Sequence, residues 1–128
     1  MTPAKQTSPL TGLAKQHRLS LKKQVLVTRQ LATLLGAQVR IEDALKIVAD
    51  QMRSPRDTSL LLELRAAIVD GQSFADALTE KPVGFDEYFC ASVRAGETAS
   101  RLAQVLEHLA AHIEERNKNR QSDETVEK

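Results

Sequence analysis

No tryptophan, one tyrosine, three phenylalanines and a single cysteine occur in the 128 residues of this chain. So little aromatic surface counts against stacking of nucleic-acid bases and caging of sugars. One thiol, Cys90, excludes an internal disulfide framework and fits a reducing compartment. The N-terminus carries no apolar h-region, so no secretory signal is expected. No apolar run approaches the roughly 20 residues that span a bilayer. Glycine-rich phosphate loops are missing, and no arrangement of serine, histidine and acid is arguable, so no enzymatic activity is expected. What remains is ordinary for a globular domain, 41% hydrophobic and 27% charged, with length for one aliphatic core.

Net charge is +1, from 18 basic and 17 acidic residues, but the signs are unevenly distributed. Residues 1–41 hold Lys5, Lys15, Arg18, Lys22, Lys23, Arg29 and Arg40 and no acid; the remainder carries −6. Such a split suggests a basic arm facing phosphate. Lys15, Arg18, Lys22 and Lys23 are the candidate membrane-surface contacts, since each basic residue near an anionic leaflet contributes about 1 kcal/mol. The alternative is a basic-armed helical domain that binds nucleic acid through its phosphates. The acidic body, and the lack of a helix rich in Arg, Lys and Asn, count against it.

Pro3, Pro9 and Gly12, with Ser8 and Thr11, mark residues 1–21 as a basic linker. Residues 22–118 form the expected helical domain and 119–128 a polar tail that should fray. Ser20 is a natural N-cap for a first helix with the stripe Val27, Leu31, Leu34, Leu35, and Gly36 a natural stop. Ile41, Ala44, Leu45, Val48 and Met52 lie on one face of a second helix, over about 41–53. Ser54 and Pro55 then signal a third, burying Leu60, Leu61, Leu64, Ala67 and Ile68 and ended by Gly71. Ser73 with Asp76 three residues on resembles a capping box and opens a short fourth helix, broken by Pro82 and Gly84. A fifth, about 86–95, closes at Gly96. The sixth, about 98–118, has the stripe Leu102, Leu106, Leu109, Ile113. With no period-two pattern of any length, the expectation is an all-α, six-helix antiparallel bundle. Ile41-Glu42-Asp43-Ala44-Leu45 is echoed by Phe74-Ala75-Asp76-Ala77-Leu78, each copy opening a helix with a small residue where two helices can approach.

These landmarks, taken in order, resemble the cytoplasmic domain of the inner-membrane platform proteins of type II secretion and type IV pilus assembly, the F-domain family. The matching segments are Thr28-Arg29-Gln30-Leu31-Ala32-Thr33-Leu34-Leu35, Ala44-Leu45, Asp70-Gly71-Gln72-Ser73-Phe74-Ala75-Asp76-Ala77-Leu78 and Ala95-Gly96-Glu97, followed by Leu102 and Leu106. The resemblance implies a docking module without turnover of its own, on the cytoplasmic side of a bacterial inner membrane. Its implied partners are the motor ATPase and the cytoplasmic parts of other platform proteins, with a homodimer possible in an oligomeric platform and no nucleic acid bound. Family members contain transmembrane helices and commonly two copies of the domain. Neither is in this sequence, so the implied identity is an excised first cytoplasmic domain or a diverged relative. The chain departs from the family pattern at Gln38 and Arg40, where Gly and Pro are usual, and at Ala99 and Ser100, where a small hydroxyl residue and Gly often stand.

Within that resemblance Glu97 and Arg101 are the candidate partner contacts. Glu97 is also the one candidate ligand for a divalent cation such as calcium, although a single carboxylate needs oxygens from elsewhere; no other cofactor is implied. The residues alone offer less. His108 and His112 stand one turn apart, a zinc-compatible spacing, but off the apolar stripe, with Leu109 following His108 and no third ligand. Cys90, among Phe89, Ala91 and Val93, reads as a core filler. His17 falls in the linker with no partner nearby in sequence.

Overall fold

Helix starts follow the caps that the sequence supplies. In the structure, a computed structural model that describes residues 17–81 and 83–127, six helices appear and no strand among the described residues. Helix α1, Leu21–Gly36, is capped by Ser20, whose Oγ accepts from Lys23 N. Helix α2, Ile41–Asp50, has no side-chain cap but carries Glu42 and Asp43 in its first turn, where negative charge complements the helix dipole. Ser54 and Asp86 cap α3, Pro55–Val69, and α5, Glu87–Thr98. Ser73 caps α4, Phe74–Glu80, and α6 is Leu102–Glu127. The all-α expectation is borne out, and no helix among the described residues is long and apolar enough to cross a membrane.

The apolar stripes meet in one core. Val27 and Leu31 of α1, Leu45 and Val48 of α2, and Leu61 and Leu64 of α3 are buried, with Phe74, Val93, Leu106 and Leu109 from the other helices. Helix α1 packs lengthwise on α6, α2 folds back on α3, and α4 and α5 form a second hairpin whose longer arm lies on α6. The echo is real at the level of packing, since Ala44, Leu45, Ala77 and Leu78 are all buried at corresponding turns of α2 and α4.

Several helix ends differ from the expectation. Order is present before Ser20: Leu19 is buried, and its N–H donates to Val83 O at 2.8 Å. The segment carrying Val83 turns at Gly84, where φ is +120° and a Cβ would fall 2.9 Å from Gln24 Nε2. Gly96 does not close α5. It sits inside the helix, buried, where a Cβ would fall 2.8 Å from Val105 Cγ2, so its role is close approach of α5 to α6. At the far end α6 starts at 102 and continues past 118 to Glu127, because residues 119–127 contain neither Gly nor Pro to stop it.

Three helices end in the same way. Beyond α1, α3 and α5 the residues Gln38, Gly71 and Ser100 take positive φ, +73°, +112° and +58°. The next N–H then reaches back to the sixth carbonyl: Val39 to Leu34, Gln72 to Ala67, Arg101 to Gly96, at 3.0, 3.0 and 2.7 Å. These are Schellman turns, and the helix stop after α1 is therefore Gln38 rather than Gly36. Two of the three left-handed positions lack the glycine that suits them. A non-glycine residue there costs roughly 1–2 kcal/mol, against about 0.5–1 kcal/mol for the extra chain entropy of glycine. Gln38→Gly and Ser100→Gly are therefore expected to raise stability by up to about 1 kcal/mol each, and Gly71→Ala to lower it. Thermal unfolding followed by circular dichroism checks all three.

Candidate functional site

Two of the expected site residues, Glu97 and Lys23, each meet a helix start. At α4, Glu97 Oε2 accepts from Phe74 N at 2.8 Å and Oε1 accepts from Ala75 N at 3.1 Å, while Ser73 Oγ accepts from Asp76 N at 3.0 Å. Three of the unpaired N–H groups that open a helix are thereby satisfied. The carboxylate from α5 caps the first two amides of α4, and Asp76, at the position a capping box would use, turns outward to Arg94 at 2.9 Å. Glu97 is half-buried, so its charge meets the positive end of α4 with reduced solvent screening. Both its oxygens face backbone donors, and no group of three or more His, Cys, Asp or Glu placed to hold a metal ion occurs among the described residues. Arg101, one turn on, is exposed, and its guanidinium makes no ion pair among the described residues.

The second cluster lies at the start of α3. Asp57 is 1% exposed, yet charged. His17 Nε2 donates to its Oδ1 at 2.7 Å and Lys23 Nζ to its Oδ2. Burial pushes this carboxyl up, but the hydrogen bonds from Lys23 and His17 together outweigh it and leave the group below its ordinary value. His17 thus has a partner 40 residues away, which no local pattern signals. Of the four basic residues assigned to a membrane surface, Lys15 lies outside the described residues. Arg18, Lys22 and Lys23 are all exposed, and Lys23 pairs with the buried Asp57.

A third tie joins α1 to α6. Arg29 grips Glu114 with Nε and Nη2, both at 2.8 Å, and reaches Glu107 with Nη1 at 2.6 Å. The guanidinium holds the Glu114 carboxyl below its ordinary value. Cys90 is half-buried, and burial, then the neighbouring Asp86, push its thiol up, away from the thiolate that a nucleophile needs. His108 and His112 are both exposed and flank Tyr88, whose hydroxyl lies 3.2 Å from His108 Nε2 and whose ring lies 5.1 Å from that of His112.

What the geometry defines is an all-α helical domain whose polar clusters tie helix to helix. Its relatives identify which one. The family model for type II secretion system protein F matches residues 27–125, and the chain belongs to that family. It is 48% identical to the type II secretion system protein F of Pseudomonas aeruginosa over 103 residues, 80% of this chain and 25% of that protein. The protein of the same name from Vibrio cholerae is 39% identical over 109 residues, 85% of this chain and 27% of that protein. A type IV pilus assembly protein, PilC of Myxococcus xanthus, is 38% identical over 97 residues, 75% and 23% of the two. The chain spans about a quarter of the length of the curated relatives it matches. The resemblance read from the residues is borne out.

Both helix-start clusters are testable. Glu97→Ala removes two charge-assisted hydrogen bonds and is expected to cost about 1.5–3 kcal/mol, with amide exchange in Phe74–Glu80 accelerating before the rest of the domain. A carboxyl depressed in the folded state contributes stability that is present above its unfolded pKa and is lost as pH falls through the folded value. Unfolding in urea should therefore show stability falling below about pH 4, and Asp57→Asn should lower stability at pH 7 and shrink that acid-dependent loss.

Proposed function

We propose that this chain is a docking module of the inner-membrane platform of a type II secretion or type IV pilus machine. In this reading it lies on the cytoplasmic side of the membrane and links the motor ATPase to the membrane complex without turnover of its own. The observation that carries the reading is the family match over residues 27–125, shared between secretion and pilus-assembly relatives. A domain common to both must serve what the two machines share rather than a substrate of either.

The geometry is consistent with transmission of movement rather than catalysis. Nucleotide hydrolysis in the ATPase displaces its surface, and a bundle resting on that surface passes the displacement on if it does not deform. Close-packed interiors transmit strain, and buried Leu31, Leu64, Leu106 and Leu109 supply that packing here. Arg18 and Lys22 are exposed, and in this reading their charge meets an anionic leaflet. Arg101, exposed beside the α4 cap, is the candidate contact for a protein partner, and a second copy of the domain is a further partner.

Immobilised full chain, incubated with the solubilised components of a secretion or pilus machine, is expected to retain the motor ATPase or the cytoplasmic parts of its membrane anchors. Arg101→Glu should reduce that retention while leaving thermal unfolding unchanged. A domain shown to be folded that retains neither component would overturn the reading.

A further inference from the structure

Tyr88, the second residue of α5, stands half exposed against the middle of α6 between two exposed histidines. His108 and His112 are one turn apart on that helix, about 6 Å along its axis and about 40° around it. Both imidazoles therefore emerge on one side of α6, away from the buried stripe of Leu106, Leu109 and Ile113. Tyr88 closes the group from the other helix. Its hydroxyl lies 3.2 Å from His108 Nε2, and its ring packs on that of His112, with centroids 5.1 Å apart and the planes tilted by 53°. Two nitrogen donors and one oxygen donor meet at one patch, and none of them belongs to the ties between helices described above.

The spacing suits an ion. Donors bound at about 2.0–2.1 Å stand about 2.9 Å apart when adjacent in a square plane, and about 3.3 Å apart in a tetrahedron. The 3.2 Å between Tyr88 Oη and His108 Nε2 falls between the two, and is long for a hydroxyl hydrogen bond. His112 adds a second imidazole by chelation: with one nitrogen attached, the other meets the same ion at an effective concentration on the order of millimolar. Ligand type selects the metal, because imidazole suits zinc and copper whereas calcium and magnesium take oxygen. The surrounding charge does not oppose a cation. Glu115, three residues beyond His112, lies on the same side of α6, and Arg116 is already paired with Asp86 at 3.4 Å.

We propose that Tyr88, His108 and His112 form a surface site for a divalent transition-metal ion of the zinc and copper class. Each imidazole gives the lone pair of one ring nitrogen to the ion and displaces a water from it. The Tyr88 oxygen takes a third position, its proton passing to solvent, and water keeps the remaining one. Bound there, the ion fastens the first turn of α5 to the middle of α6, and because it binds the folded chain it raises stability by mass action. The site does not rest on the docking reading.

The test titrates the full chain with zinc chloride by isothermal titration calorimetry and follows the imidazole signals by nuclear magnetic resonance. One ion per chain is expected, with the ring signals of His108 and His112 moving and that of His17, held by Asp57, staying in place. His108→Ala and His112→Ala should each weaken zinc binding at least about tenfold, with thermal unfolding in the absence of metal unchanged. Copper(II) should bind more tightly than zinc and give a visible phenolate-to-copper absorption that Tyr88→Phe removes, while calcium chloride should displace neither ion. No binding at millimolar zinc, binding undiminished by either histidine substitution, shifts at His17 alone, or a copper complex without that absorption would overturn the inference. The readout is metal binding, so loss of ATPase retention in the preceding experiment leaves this result standing, and failure here leaves the retention experiment standing.

Discussion

The seven-residue helix α4 depends on a carboxylate that belongs to another helix. Isolated helices shorter than about 12–15 residues are marginal in water, and α4 has only Ser73 of its own to satisfy its leading N–H groups. Glu97 supplies the other two contacts, and it stands there because α5 runs on to Thr98. Helix α5 in turn keeps its position because Gly96 presents no side chain to Val105. The dependence reaches the centre of the molecule, since Phe74, the first residue of α4, is the bulkiest of the fully buried side chains. A glycine, a carboxylate, a cap and a core aromatic thus form one chain of consequence across three helices.

The other ionic ties are unequal. Pairs on the surface, such as Lys46 with Asp50 or Arg40 with Glu42, are screened by water and contribute little. Asp57 differs because its carboxylate is almost wholly removed from solvent, so each donor it keeps matters. Its donors come from the segment entering α1 and from α1 itself, and the polypeptide is fastened where it joins the bundle. The same contact pairs the charge of Lys23 with Asp57, so the basic segment carries less unpaired charge than a count of its basic residues implies.

Much of the fold was legible because helical period is a local property. The stripes Val27–Leu31, Leu60–Leu61–Leu64 and Leu106–Leu109–Ile113 needed no tertiary information, and they are buried where the period places them. Stops were harder. Gly36 and Gly96 both read as terminators, yet one is the last helical residue and the other lies within α5; the positions that turn the chain are Gln38 and Ser100, which carry no glycine signal. At the candidate site the sequence placed Glu97 near a helix start, but the helix it caps lies 22 residues earlier in the chain. The pairing of His17 with Asp57 was out of reach for the same reason. Side chains that satisfy donors across long separations leave no periodic trace.

The fork of Arg29 fixes more than the proximity of two helices. Its two partners on α6, Glu107 and Glu114, are seven residues apart, which is two turns or about 10 Å along the axis. A guanidinium held at both places favours one axial placement of α6 on α1, because displacement by a single turn carries both carboxylates off the fork; the pairs are partly exposed, so the fork adds to the register that the apolar packing sets. The two longest helices of the domain therefore share one axial register. A thrust applied along α6 is carried by α1 as well, like a keyed shaft in its collar, and the contact works as a mechanical detent.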